Sequence, residues 1–317
     1  MTKIICGVDV SSISLDVCVR PGGSRSFGNN SEGIVELVEY CREQGVELVA
    51  LEASGGYESK VVAMLWAEGV AVAVLNPRAV RQFAKGMGML EKTDRIDARM
   101  IAWYAEVKGN EPSLPASAAQ QRLKALVTRL RQLTEMAAGE KNKRHLVRDE
   151  MVEKSFGVLG KALQAEVRRM EEAIAELLES DPLWRKLNEA LRSIKGVAGR
   201  TVARMLAEMP EIGTLSNKAV SKLAGLAPLA EDSGKHEGKR VIRGGRRNVR
   251  AILYIVAGVV GKHNADFGAF AARLAAAGKP KKVVRVAMAH KLLVRLNARA
   301  RDARRAFACA AADCVKA

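Results

Sequence analysis

From Ser117 to about Glu179 the chain contains no proline and consists mainly of Ala, Leu, Lys, Arg and Glu. No other feature constrains the fold as tightly, because a run of good helix formers without a breaker has long helix as its ordinary outcome. Leu123, Leu126, Leu130 and Leu133 recur at three- to four-residue spacing, as do Met170, Ile174 and Leu177. The spacing predicts two long antiparallel helices forming a coiled-coil arm over 117–180. Such an arm can close on itself within one chain or pair between chains, and heptads alone do not decide which.

The arm separates two regions of different character. Before it, residues 3–10 and 14–20 are short β-branched runs that read as a hairpin, and Ser24–Phe27 can add a third strand. A helix capped by Ser31 and running to about Gln44 follows, with Ile34, Leu37, Val38 and Cys41 on one face. Then come an apolar strand at 47–51, a helix at 57–68, a strand at 70–75 and helical runs near 78–85 and 94–107. This order predicts an α/β domain over 1–110, with a central sheet flanked by helices. Asn110–Ala116 holds two prolines and reads as a linker. After the arm, 185–317 is mostly helical, with short helix at 216–224, an irregular glycine-rich stretch at 225–247, helix at 248–262 and a basic helix from about 280 to 307. Its segment LRSIKGVAGRTVARMLAEM resembles a helix-hairpin-helix, in which a glycine turn brings backbone N–H groups near a phosphate. A tight helix–helix turn needs the same glycines for steric reasons alone.

Charge sharpens the division. Residues 1–110 carry 12 basic and 14 acidic side chains, whereas 233–317 carry 20 and 4, within an overall net charge of +17. A near-neutral front joined to a strongly basic back is expected of a catalytic or structural module attached to one that binds a polyanion. Other classes drop out. No apolar run approaches the ~20 residues of a membrane helix, and the opening residues read as a strand, so no secretory signal is expected. Cys6, Cys18, Cys41, Cys309 and Cys314 form no CxxC pair, and the four histidines are scattered, which argues against a disulfide framework and a zinc site. Aromatic residues make up 4% of the chain, too few for a platform that stacks successive bases.

Four acids stand out. Asp9 interrupts an apolar strand, Glu52 closes another, and Asp94 and Asp97 are three apart and share one helix face. A carboxylate on an apolar strand is costly unless paired or metal-bound. Taken singly, each has an ordinary reading as a helix-start acid or a turn residue. Taken together, two strand-end acids and a two-acid helix face suit two Mg²⁺ ions, which take oxygen ligands and clamp both oxygens of a phosphoryl transfer.

Ser233 precedes a glycine in an irregular segment, where a serine is ordinarily a turn or cap residue. It is followed by Lys235, Lys239, Arg240, Arg243, Arg246, Arg247 and Arg250, and the patch extends through Lys279, Lys281 and Lys282 to the arginines between 295 and 305. These cations could position phosphates, and a hydroxyl held among them could attack phosphorus if a base or metal activates it.

The motifs GVDVSSISLDV, ALEASGGYE, LNPRAVRQFAKGMGMLEKTDRIDA, IKGVAGRTVARMLAEM, LAGLAPLAEDSG, GGRRNVRAILY and GKPKKVVRVAMAHKLLVRLNA occur in one order. Together they resemble the DEDD-type insertion-sequence transposases, also described as bridge-RNA-guided recombinases, over nearly the whole chain. The resemblance implies a RuvC-like, RNase H-like domain, a coiled-coil arm and a C-terminal transposase domain. It implies Mg²⁺ on Asp9, Glu52, Asp94 and Asp97, and a nucleophilic Ser233 that becomes covalently joined to DNA. It further implies target and donor DNA, a structured guide RNA, dimers pairing into a tetramer with active sites shared between subunits, and a bacterial cytoplasmic setting. In that scheme base pairing supplies most of the sequence choice. Lys195 stands where the family's pattern has proline, which leaves the glycine turn less rigid.

Three rival readings use the same residues. A hydrolytic RuvC-like nuclease, such as a junction resolvase, would employ the acids and water and leave Ser233 structural. An actin-like sugar kinase would use GVDVSS as a phosphate-binding hairpin, against which the basic back and the KTDRIDA helix argue. A non-catalytic nucleic-acid-binding protein would carry the acids silently. A covalent protein–DNA adduct, ATP binding and metal-dependent cleavage discriminate among them.

Overall fold

The computed structural model describes residues 3–89, 94–113, 115–234 and 237–316. The chain forms two compact units, Met1–Ala116 and Ser117–Ala317.

Unit 1 is built on a five-stranded sheet: β1 (Ile5–Val10), β2 (Ser14–Arg20), β3 (Ser24–Gly28), β4 (Leu48–Glu52) and β5 (Val72–Leu75), ordered β3-β2-β1-β4-β5. The first three strands are antiparallel neighbours, while β4 and β5 run parallel to β1. Strand alternation sends Cys6, Val8, Leu15, Val17, Val49 and Leu51 to one face, under helices α1 (Ser31–Glu43) and α2 (Glu58–Ala67). The other face buries Ile5, Leu48, Ala50, Ala73 and Leu75 against helices α3 (Pro77–Gly86) and α4 (Asp94–Lys108). Covered on both faces, β1 and β4 are apolar along most of their length, and their carboxylates, Asp9 and Glu52, lie in the last two positions of each strand.

The expected hairpin, helices and strands of this region are present, with one capping correction. Helix α1 is capped by Asn30, whose Oδ1 accepts from the amide of Gly33 at 2.8 Å, and Ser31 is its first helical residue. Between β1 and β2 the Ser11 hydroxyl accepts from the amides of Ile13 and Ser14, and Asn29 donates to the Ser11 carbonyl. Serine and asparagine thus close the turn by local side-chain bonds.

Unit 2 opens with the long pair α5 (Ala118–Arg144) and α6 (Glu150–Ser180), matching the proline-free stretch. There follow α7 (Pro182–Arg192), α8 (Gly199–Glu208), α9 (Asn217–Leu223), the two-residue strands β6 (Pro228–Leu229) and β7 (Val241–Ile242), α10 (Arg247–His263), α11 (Ala265–Ala276) and α12 (Lys281–Lys316). The base of the α5–α6 pair shares one core with the later helices: Leu123, Val127, Leu130, Ile174 and Leu178 join Leu206, Leu253 and Leu292. Its outer part leaves Met136, Leu146 and Met151 exposed.

Two elements within 225–280 depart from the expectation. The 225–247 stretch contains the β6–β7 ladder, pairing Pro228 with Ile242 and Leu229 with Val241. Residues 265–276 form the separate helix α11, anchored by fully buried Phe267. At the α7–α8 turn Gly196 has φ +99°, and a Cβ there would crowd Val260 of α10. Backbone conformation and close packing therefore account for that glycine without any phosphate.

Candidate catalytic and nucleic-acid-binding sites

Backbone register builds the acidic end of the unit 1 sheet. Val8 pairs with Leu51 in the parallel β1–β4 ladder, so one step further Asp9 stands beside Glu52. In the antiparallel ladder Asp9 pairs directly with Asp16 of β2. Directly opposed residues lie about 4.5–5.5 Å apart, close enough for their side chains to share a ligand or a counter-charge.

The face they occupy follows from Gly7. A Cβ on Gly7 would fall on the Ala98 carbonyl and the Ala102 amide, so α4 lies directly on β1 there. Asp9, two residues on, faces the same side, as does Glu52 two residues beyond Ala50. Further along α4, Glu106 accepts from Arg20 Nε at 3.2 Å, and Arg20 lies over the Trp103 ring at 5.3 Å. Because Ala98 meets Gly7 while Glu106 meets Arg20, the partner of Ile5, α4 runs antiparallel to β1. Its first turn, with Asp97, therefore lies toward the Asp9 end of the strand. Small residues at 7, 98 and 102 allow the approach that brings these elements together.

The loop after Glu52 is fixed by Glu58. Its carboxylate accepts from the amides of Ser54 and Gly56 at 3.1 and 2.8 Å and from the Ser54 hydroxyl at 2.8 Å. Burial works to raise the Glu58 pKa, but these donors outweigh it and hold the carboxyl below its ordinary value. Neither Asp16 nor Glu58 stands out in the sequence. SLDV reads as plain strand alternation, and Ser54 and Glu58, four apart, fall outside the three-residue spacing of a capping box, so their contact shows only in the fold.

The donor set of Asp9, Glu52 and Asp97 is all carboxylate, which suits a hard divalent cation. Among the described residues no three His, Cys, Asp or Glu side chains stand close enough to form a metal site. The side chain of Asp94, the fourth acid, lies outside the described residues.

In unit 2, Ser233 lies exposed in the loop between β6 and β7. The loop is latched by its own charges. Arg240 Nη1 donates to Asp232 at 2.5 Å, the Gly238 amide donates to the same oxygen at 3.0 Å, and Arg243 pairs with Glu231 at 2.5 Å. Asp232 is held below its ordinary pKa mainly by Arg240. The two pairs join 231–232 to 240–243, so Ser233 lies in the segment they close off. Lys235 lies outside the described residues.

The remaining cations divide by role. Arg246 makes a two-pronged bond to Glu211 at 2.6 and 2.7 Å and a third to the Glu208 carbonyl. Burial alone would raise the Glu211 pKa, but Arg246 overrides it and lowers it. Arg250 donates to the Gly244 carbonyl at 2.5 Å, and a Cβ on Gly225 would strike both partners. Further along, Arg301 and Arg304 donate to carbonyls at 210, 212 and 215, beside fully buried Asn297, which holds the Gly213 amide. These arginines stitch the unit together. Lys239, Arg247, Lys279, Lys281 and Lys282 are exposed.

A near-neutral sheet with acids at one edge and a basic helical unit with a serine loop define a DNA-processing enzyme of the transposase class when set beside known proteins. The family model described as "Transposase" matches residues 6–150, and that of the "Transposase IS116/IS110/IS902 family" matches 188–272. The chain is 26% identical to the pilin gene-inverting protein of Moraxella lacunata over 92% of its own length and 94% of the relative's. The counterpart from Moraxella bovis matches at the same identity and coverage. This chain belongs to the IS110 family of insertion-sequence transposases. No helix among its described residues is long and apolar enough to cross a membrane.

Proposed function

We propose that this transposase is an RNA-guided DNA recombinase that cuts and rejoins strands through a covalent phosphoserine at Ser233. The observation that carries the acid half of the reading is the β1–β4 register, which stands Asp9 beside Glu52 on the sheet face covered by α4, whose first turn holds Asp97. The strand order β3-β2-β1-β4-β5, with β2 antiparallel, supports an RNase H-like assignment of unit 1. Asp9, Glu52, Asp94 and Asp97 would hold Mg²⁺, which when bound stabilises negative charge on the phosphate oxygens during transfer.

The chain's own residues do the rest. Ser233 Oγ forms a bond to phosphorus as the bond to one bridging oxygen of the strand breaks. The serine proton leaves to solvent or a neighbouring carboxylate, and the released oxygen is protonated in turn. Because one phosphoester replaces another, the reverse attack by a new strand end rejoins DNA with no nucleotide hydrolysis. Lys239, Arg247, Lys279, Lys281 and Lys282 position phosphates. The arm over 117–180 and the 185–317 transposase domain serve dimers that pair into a tetramer, each active site drawing on two subunits. The charge of +17 fits two polyanions, guide RNA and duplex DNA.

The test incubates the protein with Mg²⁺, the element's non-coding RNA and element-junction DNA, followed by a denaturing gel. A protein–DNA adduct that disappears in Ser233→Ala and in Asp9→Ala is expected. Cleavage without an adduct, unchanged in Ser233→Ala, would replace this reading with hydrolysis by the acids.

A further inference from the structure

A cavity of about 870 Å³ opens in unit 2 beside β7, over the first half of α12. Its walls are apolar: Val241 and Ile242 from β7, Phe270 from α11, and Val283, Val286 and Val294 from α12. Val241 and Val283, 44% and 50% exposed, leave aliphatic surface open to water at its lip. Four cations, Arg240, Lys282, Lys291 and Arg295, join this lining, and no acid does. A smaller hollow continues past Ile242, Lys282 and Val286 to Arg247 and Tyr254. Arg240 and Arg295 carry their own carboxylates, Asp232 and Asp266, so Lys282 and Lys291 are the lysines at the cleft, and such an apolar cleft beside two lysines matches a ligand with a flat apolar body carried on an anionic backbone.

At the wall, His290 has one ring nitrogen already assigned. Its Nε2 lies 3.0 Å from the Ser221 hydroxyl, and that hydroxyl donates to the Asn217 carbonyl at 2.7 Å. Nε2 is therefore the donor, which leaves Nδ1 of the neutral ring as an acceptor. Burial depresses the His290 pKa and favours that neutral form. The cavity is also tied to the serine loop. Arg240, in its lining, bonds Asp232, the residue before Ser233, and β7 begins directly after Arg240.

We propose that this cavity receives one unpaired base of the DNA strand next to the phosphate that Ser233 attacks, with Lys282 and Lys291 on the flanking phosphates. The proposal rests on the serine reading of the loop. It gives the protein a grip on the strand at the point of attack that does not depend on reading the sequence, since every base has an apolar face.

The experiment uses the full chain with its RNA and element-junction DNA carrying 2-aminopurine, one position at a time, around the cleaved phosphate. This base is quenched when stacked and brightens when extruded. Ser233→Ala serves as the background, so binding is read without chemistry. A rise at one position is expected, lost in Val283→Trp, which fills the cavity from an exposed site, together with roughly tenfold weaker binding. Val283→Ala should retain both signals. The proposal is overturned if bound DNA brightens at no position, or if Val283→Trp leaves the rise intact. It is also overturned if only 2-aminopurine placed in the RNA responds, or if Val283→Trp alters the oligomer's mass and not the base signal. The adduct assay with Ser233 present separates the two readings: an adduct without a bright base removes the cavity and keeps the recombinase, and a bright base without an adduct removes the serine reading and with it the placement of that base beside a phosphate attacked by Ser233.

Discussion

Asp9 and Ser233 are positioned by different means. Asp9 owes its place to backbone on three sides: its ladder partner Asp16 on β2, β4 one step beyond the last β1–β4 pair, and α4 lying against Gly7. Ser233 sits in an exposed loop whose shape is kept by the Asp232–Arg240 and Glu231–Arg243 pairs. Register is insensitive to salt and pH over wide ranges, whereas exposed ion pairs are weak and screened. The backbone positions of the acids are thus fixed by the fold, while the serine loop is held by contacts that a phosphate could take over. Arg240 and Arg243 can exchange a carboxylate for a phosphate without leaving the loop.

The comparison is broken most directly at Gly7. Gly7→Val places two methyl groups where the Ala98 carbonyl and Ala102 amide now lie, and backbone cannot yield as a side chain can. We expect more than about 3 kcal/mol of destabilisation in unit 1, read as loss of its thermal transition and of metal-dependent cleavage. The helices of unit 2 should retain their far-UV signal. If α4 adapts and cleavage persists, positioning by register is not what holds the acids.

A smaller effect is expected at Arg246. Arg246→Ala leaves Glu211 partly buried without its two-pronged partner. With each side chain about one-third exposed, the expected cost is about 1–2 kcal/mol, a few degrees in Tm. The sign with pH is fixed by the direction of the shift. Glu211 is held below its ordinary value, so its contribution is complete above roughly pH 4.3 and is lost as pH falls through the lower folded value. A Tm–pH series should therefore show the Arg246→Ala difference shrinking on acidification below that point.

Glu58 affords the corresponding change in unit 1. Glu58→Gln keeps the shape but weakens three charge-assisted bonds around the turn after Glu52. We expect about 1 kcal/mol of lost stability and a higher Mg²⁺ requirement for cleavage, with the saturated rate little changed. An equal fall at saturating Mg²⁺ would mean that Glu58 does more than steady Glu52.

How much of this was legible in the sequence follows from the same distinction. Short β-branched and apolar runs between turn residues set the strands, and breaker-free composition set α5 and α6, because burial and propensity act over short windows. Asp9 and Glu52 were readable as acids on apolar runs. Their adjacency was not, since strand order and register are long-range properties. Asp16 remained hidden for that reason. The roles of the arginines were also hidden: Arg246, Arg250, Arg301 and Arg304 look like Lys239 and Arg247 in the sequence, and only tertiary placement gives the first four carbonyl or carboxylate partners. Helix α11 does carry a helical signal, with Phe270, Ala271 and Leu274 following Phe267 at helical spacing, but it is short and diluted by alanines.

The smallest stability effect, and the finest test of the contrast, is at Asp232. Asp232→Asn removes a charge from an exposed, screened ion pair, so Tm should stay essentially unchanged. The reaction should respond more than the fold. Asparagine retains an acceptor for the Gly238 amide but holds Arg240 less firmly, freeing that guanidinium for DNA phosphate. At low ionic strength the variant should bind junction DNA more tightly and yet form the serine adduct more slowly, because a looser loop presents Ser233 in more orientations. Raising salt should bring the natural protein toward the variant's adduct rate, as screening undoes the same pair. If instead the two proteins keep a constant ratio of adduct rates across salt, Asp232 acts on the serine by some route other than its bond to Arg240, and the latch is not what positions the nucleophile.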